Sequence, residues 1–170
     1  MSRFDLNAAR LYALIDTGYT QGCPGDLVAL QMVAGGVDVI QLRAKNTPRE
    51  KTLELARAIL PITRVAAIPF IINDDPDLCA EVGADGVHVG QDDMPVAEAR
   101  ARAGGPGKIV GKSTHSVAQA VMAADEKPDY IALGPLFETP TKPDYKPVGL
   151  EIIRVVRQKV SLPLFCIGGI

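Results

Sequence analysis

Apolar residues fall along this chain in short, mostly unbroken runs. They are LYALI (11–15), VDVIQL (37–42), PFII (69–72), GVHV (86–89), KIVG (108–111), YIAL (130–133) and PLFCI (163–167). Unbroken runs of this length predict strands buried on both faces. The segments between them carry helical periodicity. In TPREKTLELARAIL (47–60), Thr47 with Glu50 fits a capping box and Pro48 falls at the first helical position. In GLEIIRVVRQK (149–159), Ile152, Ile153 and Val156 are spaced for one face. Gly35-Gly36, Gly83, Gly104-Gly105 and Pro128 mark helix ends. A phrase recurs at three helix-to-strand joints: Gly36-Val37-Asp38-Val39, Gly83-Ala84-Asp85-Gly86 and Pro128-Asp129-Tyr130.

Alternating strands and helices predict a parallel sheet with helices outside it. Two architectures fit: a (β/α)8 TIM barrel and a doubly wound open sheet. The polar residues decide between them, because they follow nearly every strand. Asp16, Arg43 with Lys45, Asn73 to Asp75, Gln91 to Asp93, Ser113 to His115, and Thr139 to Lys142 all sit there. An open sheet gathers its chemistry at one switch point. A barrel draws one site from the carboxyl ends of many strands. The distribution therefore favours a single α/β barrel domain over residues 1–170.

Composition adds limits. The chain has 170 residues, is 47% apolar and 22% charged, and carries a net charge of −2. That length supports one sizeable core, and with 5% aromatic residues the core is aliphatic. No block of like charge points to nucleic acid or a membrane surface. No run approaches the ~18 apolar residues of a transmembrane helix. MSRFDLNAAR lacks the apolar stretch of a signal peptide. Cys23, Cys79 and Cys166 are odd in number and lack metal spacing, which reads as reduced packing residues in a cytoplasmic protein.

The strand ends carry the candidate chemistry. Gln41, Arg43 and Lys45 alternate with Leu42 and Ala44, so they share one face of an extended segment. Asp74 follows the third run and Asp93 the fourth. Carboxylates at adjacent strand ends repel unless a cation lies between them, and Mg2+ takes one or two carboxylates plus phosphate oxygens and waters. Cations nearby suggest a polyanion such as a diphosphate, with Arg43 as a fork and Lys45 as a point charge. The alternative is that Arg43 and Lys45 pair with the aspartates and only stabilise the rim. Asp75, before Pro76, reads equally as a helix cap, and Asp92 as a solvent-facing side chain. GPLFETPTKPDYKP (134–147) is a long, proline-rich loop suited to act as a lid. Its Thr139 and Thr141 are placed to present two hydroxyls on one side, with Lys142 beside them. The competing reading is a stiff surface loop. His115 reads equally as a helix-start residue, and His88, inside the fourth run, as a packed one.

QLRAK, IINDD, GVHVGQDD, GKSTH, GPLFETPTK and CIGGI, in this order, resemble the thiamine-phosphate synthase family from the first strand to the last residue. The resemblance implies a TIM barrel and a transferase of thiamine biosynthesis. Such an enzyme joins hydroxymethylpyrimidine diphosphate to thiazole phosphate carboxylate, releasing pyrophosphate and CO2. It implies that Gln41, Leu42, Arg43, Ala44, Lys45 and Asn73 bind the pyrimidine diphosphate and that Asp74 and Asp93 hold Mg2+. Ser113 and Lys142 would contact the pyrimidine substrate and its diphosphate. Thr139, Pro140, Thr141 and Gly169 would meet the thiazole phosphate. Arg43, Lys45, Ser113 and Lys142 are the residues assigned to catalysis.

One departure accompanies the resemblance. The family continues past Gly168-Gly169-Ile170 into an eighth strand that completes the thiazole phosphate grip. These residues therefore correspond to seven of eight strands, with the C-terminal unit missing, and are fewer than the ~200 usual for such barrels. A chain ending there is expected to expose strand edges and self-associate. Two other readings stay open: a thiazole tautomerase-like enzyme of the same fold, and a non-catalytic phosphate-binding fragment. Arg43, Lys45, Asp74 and Asp93 together count against the tautomerase. A homo-oligomer is left open. The partners expected are small molecules, with neither nucleic acid nor membrane.

Overall fold

The structure, a computed structural model, describes residues 4–141 and 146–170. Its elements alternate as the apolar pattern predicts. They are β1 (Tyr12–Asp16), α1 (Gly25–Ala34), β2 (Val39–Arg43), α2 (Arg49–Val65), β3 (Phe70–Asn73), α3 (Pro76–Val82) and β4 (Gly86–Val89). Then follow α4 (Val96–Arg102), β5 (Ile109–Thr114), α5 (Val117–Asp125), β6 (Tyr130–Leu133), α6 (Glu151–Arg157) and β7 (Leu164–Cys166). Strand order follows chain order. The β1–β2, β2–β3, β5–β6 and β6–β7 pairs are parallel. Parallel strands in chain order, each before β7 followed by a helix, are the pattern of the (β/α)8 barrel class and not of a sheet with a switch point. Seven of the eight strands of that class lie among the described residues.

The chain divides into two compact units. One is Met1–Val87 with Arg100–Ile109, the other His88–Ala99 with Val110–Ile170. In the first unit Val39, Ile40, Leu42, Phe70, Ile71 and Ile72 are buried whichever face of the sheet they lie on. That is why their runs are unbroken in sequence. In the second unit Ile131 and Leu133 pack with Ala120, Ala123, Val156 and Val160.

The recurring Asp phrase proves to be a structural device. Asp38, Asp85 and Asp129 each precede an even-numbered strand. Each donates its backbone N–H to Leu11, Phe70 or Val110 O, and accepts that same residue's N–H on its carboxylate. Asp38 also accepts from Arg10 N, and the Leu11 and then Arg10 amides hold its carboxyl below the ordinary carboxylate range. These joints lock strand entries in pairs, at the end of the strands away from the candidate site.

Three expectations need correction. Thr47 does not cap α2: Pro48 is the N-cap residue, with no side-chain cap bond, and the Thr47 hydroxyl instead meets Thr17 Oγ1 at 3.0 Å. The helix also runs past Leu60, through Pro61 to Val65. Burial of Ala56, Ile59, Leu60 and Thr63 along one side outweighs the bond that proline removes. Cys23 is exposed rather than packed, whereas Cys79 is buried and Cys166 half-buried. Burial pushes the Cys79 thiol up to about 11.

Candidate functional site

In the first unit, the end of β2 carries the amide and the cations. Register pairs Leu14 with Gln41 and Asp16 with Arg43. Both polar side chains of β2 find a partner on β1. Gln41 is buried and donates to the Tyr12 hydroxyl at 2.7 Å. Arg43 Nη1 meets Asp16 Oδ2 at 2.5 Å, with both side chains under a fifth exposed. Leu42 is buried on the face of β2 opposite Gln41 and Arg43.

Past the strand, Asn46 turns with φ 63° and Lys45 reaches Asp74 at 3.3 Å. Asp74 itself has φ 63°, a left-handed conformation uncommon outside glycine. Backbone held this way at a strand end is a reason to look for function there. Its neighbour Asp75 caps α3 by accepting from Leu78 N at 2.8 Å. A pocket of about 250 Å3 opens beside this rim, lined by Lys45, Thr47, Arg49, Asn73, Asp74 and the buried Leu42, among others. The ion pairs Arg43–Asp16 and Lys45–Asp74 match the rim-stabilising alternative as the chain stands. They also keep both cations at the strand ends.

In the second unit several strand-end side chains are held by neutral hydrogen bonds. Ser113 Oγ lies 2.8 Å from His88 Nε2, and His88 Nδ1 lies 2.9 Å from the Tyr130 hydroxyl. Gln91 Nε2 donates to Ser113 O at 2.5 Å. Asp93 is exposed and accepts from Gly90 N at 2.6 Å. Ser116, not His115, caps α5 by accepting from Gln119 N. His115 Nδ1 lies 2.5 Å from Gly134 O. Lys112 is buried beside Glu126 at 3.8 Å, and Glu126 also accepts from Val96 N at the start of α4.

The loop after β6 is tied to the chain beyond β7. Leu136 N donates to Ile167 O and Phe137 N to Gly168 O. A side chain at Gly169 would come within 2.5 Å of Glu138 O, and Gly169 has φ 69°. Only glycine fits that approach. Thr139 and Thr141 hydroxyls meet at 2.6 Å, so they do face one side, with Pro140 exposed between them. Lys142 lies outside the described residues.

Sequence reasoning named Asp16 and Gln91 only as polar strand-end residues and missed that they hold Arg43 and Ser113. It placed Tyr12 and Tyr130 in strands but missed them as partners of Gln41 and His88. A tyrosine opening a buried strand was the signal available, since a buried hydroxyl needs a partner.

Among the described residues, no three His, Cys, Asp or Glu side chains cluster as a ready-made metal cage. Asp74 and Asp93 offer hard oxygen donors without thiolate or imidazole. That fits magnesium, which fills most of its coordination sphere with water and substrate oxygens.

Polar side chains at the carboxyl ends of chain-ordered parallel strands, over an aliphatic interior, define a (β/α)8-barrel enzyme. Comparison with known proteins narrows the class. Residues 11–170 match the family described as thiamine monophosphate synthase. The chain is 43% identical over 162 residues to the thiamine-phosphate synthase of Chloroflexus aurantiacus, covering 95% of this chain and 74% of that protein. It is 47% identical over 161 residues to that of Methanoculleus marisnigri, covering 94% and 76%. A solved thiamine phosphate pyrophosphorylase from Pyrococcus furiosus superposes with a TM-score of 0.86 at 32% identity, over 97% of this chain and 77% of that one. Dihydropteroate synthase from Thermus thermophilus, at 19% identity and a TM-score of 0.62 over 95% of this chain and 72% of that one, shares the fold alone. The chain belongs to the thiamine monophosphate synthase family and is an enzyme of the transferase class. Among the described residues, no helix is long and apolar enough to cross a membrane.

Proposed function

We propose that this chain joins hydroxymethylpyrimidine diphosphate to thiazole phosphate carboxylate, yielding thiamine phosphate, pyrophosphate and CO2, with its strand-end residues in the following roles. Gln41, Arg43, Lys45 and Asn73 hold the pyrimidine diphosphate, with the backbone of Leu42 and Ala44 beside them. Arg43 gives Asp16 one of its five donors, which leaves a fork for phosphate oxygens. Lys45 exchanges Asp74 for the diphosphate. Asp74 and Asp93 are each assigned to magnesium. Magnesium, when bound, supplies charge neutralisation for the diphosphate. Ser113 contacts the pyrimidine substrate, and Lys142 its diphosphate. Thr139, Pro140, Thr141 and Gly169 meet the thiazole phosphate.

The reaction asks the protein for no nucleophile. Departure of pyrophosphate leaves a methyl cation stabilised by the electron-rich aminopyrimidine, the thiazole nitrogen attacks that carbon, and the carboxylate then leaves as CO2, its electron pair returning to the thiazole ring. What the residues do is stabilise the departing charge and align two rings. One observation carries the reading: Gln41, Arg43, Lys45, Asn73 and Asp74 fall at neighbouring strand ends in a chain whose curated relatives are thiamine-phosphate synthases. Those relatives also disfavour the tautomerase-like alternative. Three unpaired cysteines support placing the enzyme in a reducing cytoplasm.

The test is to incubate the chain with both substrates and Mg2+ and assay for thiamine phosphate and pyrophosphate in equal amounts. Folded protein that yields neither would overturn the proposal.

A further inference from the structure

The second unit contains a buried hydrogen-bonded chain that the roles above leave unexplained. It runs from the Tyr130 hydroxyl through both nitrogens of His88 to Ser113 Oγ, at 2.9 Å and 2.8 Å. Tyr130 is fully buried and His88 6% exposed. The two rings stack at 5.5 Å, and Phe165 meets Tyr130 edge-on at 5.3 Å. Gly111 makes room for them: a side chain there would come within 2.1 Å of the Tyr130 ring and 2.5 Å of His88 Nδ1. Neither ring can turn away without breaking this packing, so His88 presents one fixed nitrogen to Ser113.

A neutral imidazole donates at one nitrogen and accepts at the other. Its neighbours decide which. A phenol hydroxyl is a far stronger acid than an alkyl hydroxyl, so it is the better donor to a basic ring nitrogen. The favoured arrangement therefore has Tyr130 donating to Nδ1 and Nε2–H donating to Ser113 Oγ. The serine then accepts from His88 and has its own proton left to give. Gln91, bonded to the Ser113 carbonyl, fixes the backbone beneath it.

We propose that His88 is a positioning residue for Ser113: Tyr130 locks it as the Nε2–H tautomer, which turns the Ser113 hydroxyl into a hydrogen-bond donor aimed at an acceptor on the pyrimidine diphosphate. The inference rests on the reading of Ser113 as a substrate contact. It defines the ligand that this position takes, one presenting an unprotonated ring nitrogen or phosphate oxygen. A ligand offering only an N–H or O–H there is disfavoured.

The tautomer is read directly by 15N NMR of the histidine side chains in the full chain. There are two histidines, so a His115→Gln variant assigns the signals. The expected result is a protonated Nε2 and an unprotonated Nδ1 on His88, with the two forms mixing in Tyr130→Phe. A protonated Nδ1 in the unaltered chain overturns the proposal whether or not any variant folds. Kinetics supply the second arm. His88→Phe is expected to lower turnover fivefold to tenfold, on the order of one hydrogen bond. His88→Gln, which keeps a donor, should recover most of that loss. Combined with Ser113→Ala, His88→Phe should cost nothing further, because it acts through the serine. Independent, additive losses would overturn the proposal while leaving Ser113 a substrate contact. Unchanged turnover in Ser113→Ala alone would instead overturn the role of Ser113, and this inference with it.

Discussion

The two units prepare their strand ends in different ways. In the first, cations are held by carboxylates, Arg43 by Asp16 and Lys45 by Asp74. In the second, neutral groups hold one another in Tyr130–His88–Ser113 and Thr139–Thr141, and Lys112–Glu126 is an ion pair. The half-exposed Lys45–Asp74 pair is worth only about 0–1 kcal/mol and can be exchanged at little cost, whereas the Arg43–Asp16 pair is largely buried. A buried neutral network carries a high penalty for any unpaired member and so has one arrangement. In the proposed function the Lys45–Asp74 pair trades partners with an anion, whereas the Tyr130–His88–Ser113 network is set before any ligand arrives.

The largest expected effect comes from the proposed magnesium ligands, where neither kind of preparation would substitute for the ion. Asp93→Asn keeps an oxygen to accept from Gly90 N, so the fold should persist. Mg2+-dependent turnover should fall by about a hundredfold or more, the scale on which one electrostatic stabiliser is lost. Full activity at low Mg2+ would remove Asp93 from the metal site.

Stability should then separate the two halves. Gly111→Val forces a side chain into the Tyr130 ring and His88, and should cost about 2 kcal/mol or more. Lys45→Ala, breaking a half-exposed pair, should cost under about 1 kcal/mol. Paired thermal melts compare them directly. Equal losses would mean that the neutral network is no more rigid than the ion-paired rim.

A smaller effect tests the joints away from the site. The folded Asp38 carboxyl is held below its ordinary value, so its contribution is complete above the unfolded value of ~3.9 and is lost as pH falls through the lower folded one. Asp38→Asn should therefore be less stable than the unaltered chain at pH 7 by under about 1 kcal/mol after solvent screening. The gap should close in acid. A gap that is constant with pH would show that the charge of Asp38 plays no part.

How much of this was legible in the sequence follows from which interactions are local. Strands buried on both faces announce themselves, and GVHV and YIAL match β4 and β6 residue for residue. KIVG reads three residues short of β5, because Lys112, Ser113 and Thr114 look like loop. They belong to the strand because each is held from elsewhere: Lys112 by Glu126, Ser113 by His88, Thr114 by the Ala132 carbonyl. Strand-end chemistry was visible as residue type and not as pairing. The partners of Arg43, Gln41 and His88 lie 27, 29 and 42 residues away. The aspartates before β2, β4 and β6 were visible as a recurring phrase, but their purpose appears only when each carboxylate is seen on the preceding strand.

The central claim is that the charged rim of the first unit grips the diphosphate, and one binding measurement tests it most directly. Calorimetric titration should compare hydroxymethylpyrimidine diphosphate with the unphosphorylated alcohol, in the unaltered chain and in Arg43→Ala. The account predicts that the variant loses about 1.5–3 kcal/mol of affinity for the diphosphate, the worth of a charged hydrogen bond, and little for the alcohol. Equal losses for both ligands would contradict it and show that Arg43 holds the ring or the fold instead.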